Sequence, residues 1–339
     1  MEPADLEPRQ LDEVVSPVAN GASASPTPLI LDVDTGYDDA LALLLALRSP
    51  AANVLGITCV AGNHSLEQVV NNTLRILDLA EAPNIPVALG MALPLIEQHR
   101  EPSLLHGYDG MGDTGLPASA RRPVAEHAVE FLRRTVEAHE EPITLVALAP
   151  LTNVATFIRM YPALAARLAG ITVMGGTYLT HGNTSPVAEF NLRQDPEAAA
   201  IVLESGLPIR LYPLDPFRQL ALPAAEIATL AADSRPVPRV VGTITSYVAE
   251  YFRRDWCALG DAGALAVTLD PSHATLARFP ITVELTGTAT RGQTVLDRRT
   301  VAQRAGLTEW WQAATAEVEV VTTLDVDHYK AMFLKAIVG

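Results

Sequence analysis

Leu29–Leu47 reads LILDVDTGYDDALALLLAL and sets four aspartates, Asp32, Asp34, Asp38 and Asp39, between two apolar runs. The first run, PLILDV, has strand length; the second, DALALLLALR, reads as a helix. The carboxylates therefore fall where a strand meets a helix. In open α/β sheets, ligands bind beyond the carboxyl ends of the strands. Period two along the strand sends Asp32 and Asp34 to the same side. Gly36 permits the tight turn. Asp38 and Asp39 fall in the first helical turn, where the macrodipole favours carboxylates. Four like charges around one point are costly unless a cation neutralises them. Oxygen ligands alone select a hard ion, Ca²⁺ or Mg²⁺. Helix capping accounts for Asp38 or Asp39 singly, but not for two further aspartates closing an apolar strand.

Outward from this stretch, strands and helices alternate. NVLGITCV, PITLVAL, GITVMGG and LPIRLYPL read as strands; LEQVVNNTLRILDLA, PLTNVATFIRMY and DPEAAAIVLES read as helices. The expected fold is α/β, an open, mostly parallel central sheet with helices on both faces. Pro236 to Phe252 reads as a longer helix. ITVEL, QTVLD and EVEVVTTL read as edge strands, followed by a terminal helix DHYKAMFLKAIV. Residues 1–27, rich in Pro, Ala, Ser and acids, read as a disordered arm, and 28–339 as one domain.

The 339 residues are 49% hydrophobic and 19% charged, with a formal net charge of −15. That charge argues against nucleic acid and anionic membranes as partners. No apolar run reaches the length of a membrane span. Cys59 and Cys257 are too few for a disulfide framework. The start, MEPADLEPRQLDEVV, lacks the regions of a signal peptide, so a cytoplasmic protein is expected.

Two other acidic motifs fit less well. An EF-hand loop beginning at Asp32 needs Glu at its twelfth position, which is Leu43. A D-x-D-x-T phosphotransferase pattern needs Thr four places after Asp32, where Gly36 stands and Thr35 is one place early.

DVDTGYDD resembles the D-x-D-x-G-x-D-D signature of the inosine-uridine-type nucleoside hydrolases at every fixed position. GITCVAGNHSLEQVVNN, LVALAPLTNVA, VMGGTYLTHGNTSPVAEFNLRQDPEAAAIV and LGDAGALAVTLDP are similar to later segments of that family, in the same order. The resemblance covers roughly residues 28 to 339. It implies Ca²⁺-dependent hydrolysis of the N-glycosidic bond of a small-molecule nucleoside by a homodimer or homotetramer. It implies Ca²⁺ ligands at Asp34, Asp39 and Asp261, with the Leu148 carbonyl. Asp34 would also be the general base toward a water at the ion. Asp38, Asn183, Glu189 and Asn191 would hold ribose hydroxyls, with Met174 below the sugar and Asn63 beside the water. Positive charge grows on the ribosyl ring as the bond breaks, and carboxylates and amides around it offset that charge. Asp32 reads as a support residue, Asn153 as a loop brace and Asp195 as a helix cap before Pro196.

The pattern departs at Gly260, where many members of the family carry His as proton donor to the leaving base. His106, His181, Tyr247 and Tyr251 are the candidate replacements, the two tyrosines sharing a helix face. Trp256 and Cys257 stand nearby. Gly260 is also the argument for an alternative, a catalytically weak ribosyl-binding protein on the same scaffold. A metal-dependent phosphotransferase is the third reading.

Overall fold

The computed structural model describes residues 25–98, 104–299 and 316–339. The expected N-terminal arm lies outside these except for its last three residues, and the first strand begins at Thr27.

The chain runs β1 (Thr27–Val33), α1 (Tyr37–Arg48), β2 (Ala52–Cys59), α2 (Leu66–Leu79) and β3 (Val87–Leu89). A 3₁₀ turn, Leu104–His106, precedes α3 (Ala128–Ala138), β4 (Thr144–Ala147), α4 (Thr152–Met160), α5 (Pro162–Ala165) and β5 (Gly170–Met174). Then come α6 (Phe190–Gln194), α7 (Pro196–Leu203), β6 (Ile209–Tyr212), α8 (Leu214–Phe217), β7 (Ala221–Pro223), α9 (Ala224–Ala231) and α10 (Pro236–Tyr251). The chain closes with β8 (Trp256–Ala258), α11 (Asp261–Leu269), β9 (Ala274–Val283), β10 (Thr294–Leu296), β11 (Glu317–Leu324) and α12 (Val326–Val338).

Nine strands form one sheet in the order β10-β9-β11-β6-β5-β4-β1-β2-β3. Every neighbouring pair from β11 to β3 is parallel; β9 and β10 add antiparallel pairs at one edge. The alternation along β1 shows how the layers divide. Leu29, Leu31 and Val33 pack with α1, α2, α10, α11 and α12, while Ile30 packs with α3, α4 and α7 on the other face. Helix α1 is buried nearly all round, which is why its sequence carries no polar face. Leu43 lies inside it, fully buried, and Thr35 shares its hydroxyl with Thr73 at 2.6 Å. The interior therefore absorbs the residues on which the EF-hand and phosphotransferase patterns would turn.

Two expectations need correcting. EVEVVTTL is not an edge strand: β11 lies between β6 and β9. Gly36 is needed for space rather than for a left-handed turn. Its φ is −94°, but a Cβ there would stand 2.4 Å from His106 Nδ1 and 2.7 Å from Asn63 Nδ2.

The strand order turns at β1, which has β2 on one side and β4 on the other. The crevice at such a switch point, beyond the carboxyl ends, is the ligand position of open α/β sheets. The Leu148 N–H, just past β4, donates to the Asp32 carbonyl at 2.9 Å and ties the two strand ends together.

Candidate active site

A cavity of about 610 Å³ opens at this crevice. Its floor is built from the turn after β1. The strand ends at Val33, so Asp32 and Asp34 do not act on one side as period two would have it. Asp32 follows Ile30 toward α4, where its Oδ1 accepts from Thr58 Oγ1 (2.5 Å) and Asn153 Nδ2 (2.8 Å). Asn153 also donates to the Cys59 carbonyl and accepts from the Met91 N–H, so it braces the loops, as expected. Asp34 turns the other way. Its Oδ2 accepts from the Asn63 N–H at 2.6 Å, and its own N–H donates to Asp39 Oδ1 at 3.2 Å. Gly62 has to be glycine, because a Cβ there would lie 2.1 Å from Asp34 Oδ2.

Asp38 and Asp39 stand in the first turn of α1, and Asp261 stands in the first turn of α11. Carboxylate oxygens of Asp38, Asp39 and Asp261 lie within 4.8 Å of one another. Asp34 adjoins this group through its N–H bond to Asp39 rather than belonging to the trio itself. The Oδ1 atoms of Asp34, Asp38 and Asp261 are buried without a hydrogen-bond partner among the described residues. Burial pushes all four carboxyl pKa values up. Asp39 rises to about 6 and Asp38 to about 8, with Asp39's charge adding to the rise at Asp38. Asp34 and Asp261 are also raised well above the usual carboxylate range, by burial first and then by neighbouring aspartates. Buried acceptors that lack donors are costly. Their shared missing partner is a cation.

One wall comes from the segment after β5. Glu189 caps α6, accepting from the Asn191 and Leu192 N–H groups and from Gly176 N–H; burial raises it to about 7. Asn191 Nδ2 donates to the Leu148 carbonyl at 2.8 Å and to the Met174 carbonyl at 3.2 Å. Asp38, Asn63, Leu148, Met174, Glu189, Asn191 and Asp261 thus meet around one space, and Asn183 reaches it from an exposed loop. Asp195 stays outside, capping α7 through Ala198 N–H and holding Thr152 and Leu95 N–H.

The outer part is less as expected. His106, Tyr251 and His181 line it. Tyr247 does not; it packs against the loop at Gly112. His106 is buried, stacks near Tyr37 and accepts the Tyr37 N–H on Nδ1 at 3.4 Å. Burial lowers its pKa to about 3, so the ring is neutral at physiological pH. Its loop is cross-braced: Asp109 and Asp113 accept backbone N–H groups within it, and Gln68 and Asn72 of α2 donate to the Asp109 carbonyl. Arg218 and Arg254 line the cavity as well and were missed in the sequence. Arg218 follows no readable pattern. The doublet Arg253–Arg254 just before Asp255 and Trp256, in so acidic a chain, was a usable signal.

Gly260 has a local cause. Its φ is +55°, and a Cβ would sit 2.9 Å from the Phe217 ring and 3.0 Å from Asp38 Cβ. Phe217 occupies the room a larger residue would need. We expect Gly260→His to destabilise the protein by about 1–3 kcal/mol through backbone strain and to give no gain in turnover on nucleosides. A calorimetric Tm and a rate measurement check this; a faster, equally stable variant would contradict it.

A second group, Asp270, His273 and His328, also brings ligand-type atoms within 4.8 Å. Here the partners satisfy one another. Asp270 pairs with His328 at 2.9 Å, Asp325 with His273 at 3.5 Å, and Asp325 caps α12. No orphaned oxygen points to an ion there, unlike the floor of the cavity.

Solved structures similar to this chain define the class. A plant nucleoside hydrolase, PpNRh1, superposes with a TM-score of 0.83 at 28% identity, covering 92% of this chain and 99% of that one. The purine-preferring ribonucleoside hydrolase from Gardnerella vaginalis gives 0.82 at 31% identity, covering 92% and 98%. The pyrimidine-specific ribonucleoside hydrolase RihA of Salmonella agona is 38% identical over 275 residues, 80% of this chain and 88% of that one. The family described as inosine-uridine preferring nucleoside hydrolase matches residues 29–331, and the chain belongs to that family. It is a nucleoside hydrolase.

Proposed function

We propose that the enzyme hydrolyses the N-glycosidic bond of ribonucleosides, releasing ribose and free base, with Asp34 as general base and Ca²⁺ at the cavity floor. The observation that carries this reading is the set of buried, unpartnered oxygens on Asp34, Asp38 and Asp261 at the switch point of the sheet. The donor set fits a hard divalent ion: it is all oxygen, from Asp34, Asp39, Asp261 and the Leu148 carbonyl, with Asp38, whose carboxylate converges with those of Asp39 and Asp261, also within reach. When bound, such an ion supplies positive charge that offsets the carboxylates and acidifies the water beside it.

The chain's own residues do the rest. Asp34 takes the proton of the attacking water. Asn63, whose Nδ2 reaches Asp39 Oδ2 at 3.3 Å, fixes the side from which water approaches. Asp38, Asn183, Glu189 and Asn191 pair with the ribose hydroxyls, and Met174 lies under the sugar. Carboxylates around the ring oppose the positive charge that grows on it. A homodimer or homotetramer, and a cytoplasmic place in nucleoside salvage, are carried by the family resemblance. Among the described residues no helix is long and apolar enough to cross a membrane.

A second reading, ribosyl binding with weak turnover, is favoured by Gly260 alone. One experiment separates the two. The protein is mixed with a panel of purine and pyrimidine ribonucleosides and with nitrophenyl riboside, and ribose is followed by a reducing-sugar assay. Ribose from at least one natural nucleoside is expected; binding without ribose from any of them would favour the second reading.

A further inference from the structure

Resting on the hydrolase reading, we infer that Arg254 receives the departing base as an anion, so that cleavage proceeds without a proton donor and favours bases that present carbonyl oxygens.

Three of the four expected donors are not placed for the task, and the fourth, Tyr251, lines the cavity but is exposed, with its ring edge-on to Phe252. Gly260 has neither a donor nor room for one. Tyr247 lies outside the cavity lining. His106 lines it, but as a neutral imidazole it holds no proton to spare at physiological pH. His181 sits against Arg218, its Nδ1 2.6 Å from the Gly182 carbonyl.

Arg254 is placed differently. It lines the outer cavity beside Trp256, with its guanidinium carbon 4.6 Å from that ring centre and 4.8 Å from that of Phe252. Two aromatic faces fix the plane of the fork while leaving its N–H edge open. Among the described residues the Arg254 side chain has no hydrogen bond and no ion pair. The side chain is exposed at the cavity mouth, while the other arginine of the lining is used up within the protein. Arg218, for comparison, spends its fork on Thr180 Oγ1 at 2.5 Å and the Gly182 carbonyl at 3.1 Å. The Arg254 charge is felt inside the cavity: it opposes the rise of the Tyr37 and Cys257 pKa values that burial causes.

The cavity is therefore polar end to end, with carboxylates at the floor and a guanidinium at the mouth. The reaction has the same polarity. The ribosyl ring gains positive charge over the aspartates, and the base gains negative charge toward Arg254. The C1′–N bond breaks with its electron pair going to the base nitrogen. Water oxygen bonds to C1′, and the water proton goes to Asp34. The base leaves as an anion paired with the guanidinium and takes a proton from solvent after release, as Asp34 returns its own. A guanidinium donates only, so it matches carbonyl oxygens on the base and meets amino groups poorly. Uracil and hypoxanthine present such oxygens; adenine does not, and cytosine offers an amino group where uracil has a carbonyl.

The test compares wild type, Arg254→Gln and Arg254→Lys on uridine, cytidine, inosine, adenosine and nitrophenyl riboside. Removing one preorganised charge-stabilising donor costs about 10²–10³-fold in turnover in a water-excluded site, and because Arg254 is exposed the lower end applies. We expect that loss for Arg254→Gln on uridine and inosine, a much smaller loss on nitrophenyl riboside, whose leaving group needs little help, and partial recovery in Arg254→Lys. A second measurement reads the anion directly. A nitro-substituted uracil, which ionises readily, should bind wild type more tightly as pH rises through its own pKa, and Arg254→Gln should lose that tightening. Equal losses on every substrate, or an unchanged pH dependence of binding in Arg254→Gln, would overturn the inference. A wild type that releases no ribose would overturn the hydrolase reading instead, and the binding measurement would still decide this one.

Discussion

Asp34→Asn is expected to lower turnover by about 10³–10⁴-fold, the upper range for loss of a general base, while nucleoside binding is partly retained. The substitution keeps the shape of a side chain held by the Asn63 N–H at 2.6 Å. It removes the proton acceptor and one of the clustered negative charges. A group that acts only in the transition state lowers kcat and kcat/KM together. The same assignment fixes the acid side of the rate profile. In the metal-free protein burial and Asp39 hold the Asp34 pKa well above the usual range; a bound cation opposes that rise, so the acid limb of the rate profile should move to lower pH as calcium is added. Pre-steady-state rates and a binding isotherm check the variant; near-normal turnover would remove Asp34 from the role.

The second large effect is on stability. Chelation should abolish activity and lower Tm, and the loss should grow as pH rises from about 5 to about 8. The sign follows from proton counts. Asp39 and Asp38 have folded pKa values raised from 3.8 to about 6 and about 8. Between the unfolded and folded values the folded state holds more protons than the unfolded one. Its stability is therefore greatest below the unfolded value and falls as pH rises through the folded values. A divalent cation removes the need for those protons. At a calcium concentration 100 to 1,000 times Kd the gain is about 3–4 kcal/mol. Asp32, raised to about 7 and held by Asn153 and Thr58, titrates in both states, so the informative quantity is the difference between loaded and chelated protein. Calorimetry at three pH values with EGTA or calcium measures it. A calcium-induced shift that is absent, or larger at pH 5 than at pH 8, would count against an ion at this floor.

Much of the site was legible because it is local. DVDTGYDD places three carboxylates at one strand–helix junction by spacing alone, and the alternation of apolar runs gives the parallel sheet. Glu189 and Asn191 were legible only through the family resemblance, since their role depends on carbonyls of Leu148 and Met174 that are remote in sequence. Helices α3 and α9 and the small β7–β8 pair were not anticipated. Two three-residue strands are too short for period two to register, and α9 mixes its apolar positions with many alanines, whereas α3 carries a helical period at Val129, Phe131, Leu132 and Val136 that was overlooked. The direction of Asp34 was misjudged because a repeat of two applies only while the strand lasts, and β1 stops one residue earlier. Arg254 was passed over because charge at a helix end ordinarily means solvent. Its ring partners, Phe252 and Trp256, stand two residues away on either side, so the local sequence already held them.

The position of β1 between β2 and β4 has a consequence for how the chain acquires its function. Asp34 and Asp261 are 227 residues apart (261 − 34), and Leu148, just past β4, comes from a third region. Contacts of such long sequence separation form late, because loop closure must precede them. Helices and the β1–β2 pair can be in place while Asp261 is still far from the aspartates of the β1–α1 junction and all of them are solvated. The full electrostatic cost of the cluster is then incurred only when α11 docks against α1, at the moment an ion can first be held. Recovery of activity during refolding is thus a clock for the slowest long-range contact, and it lags every signal that reports helix alone.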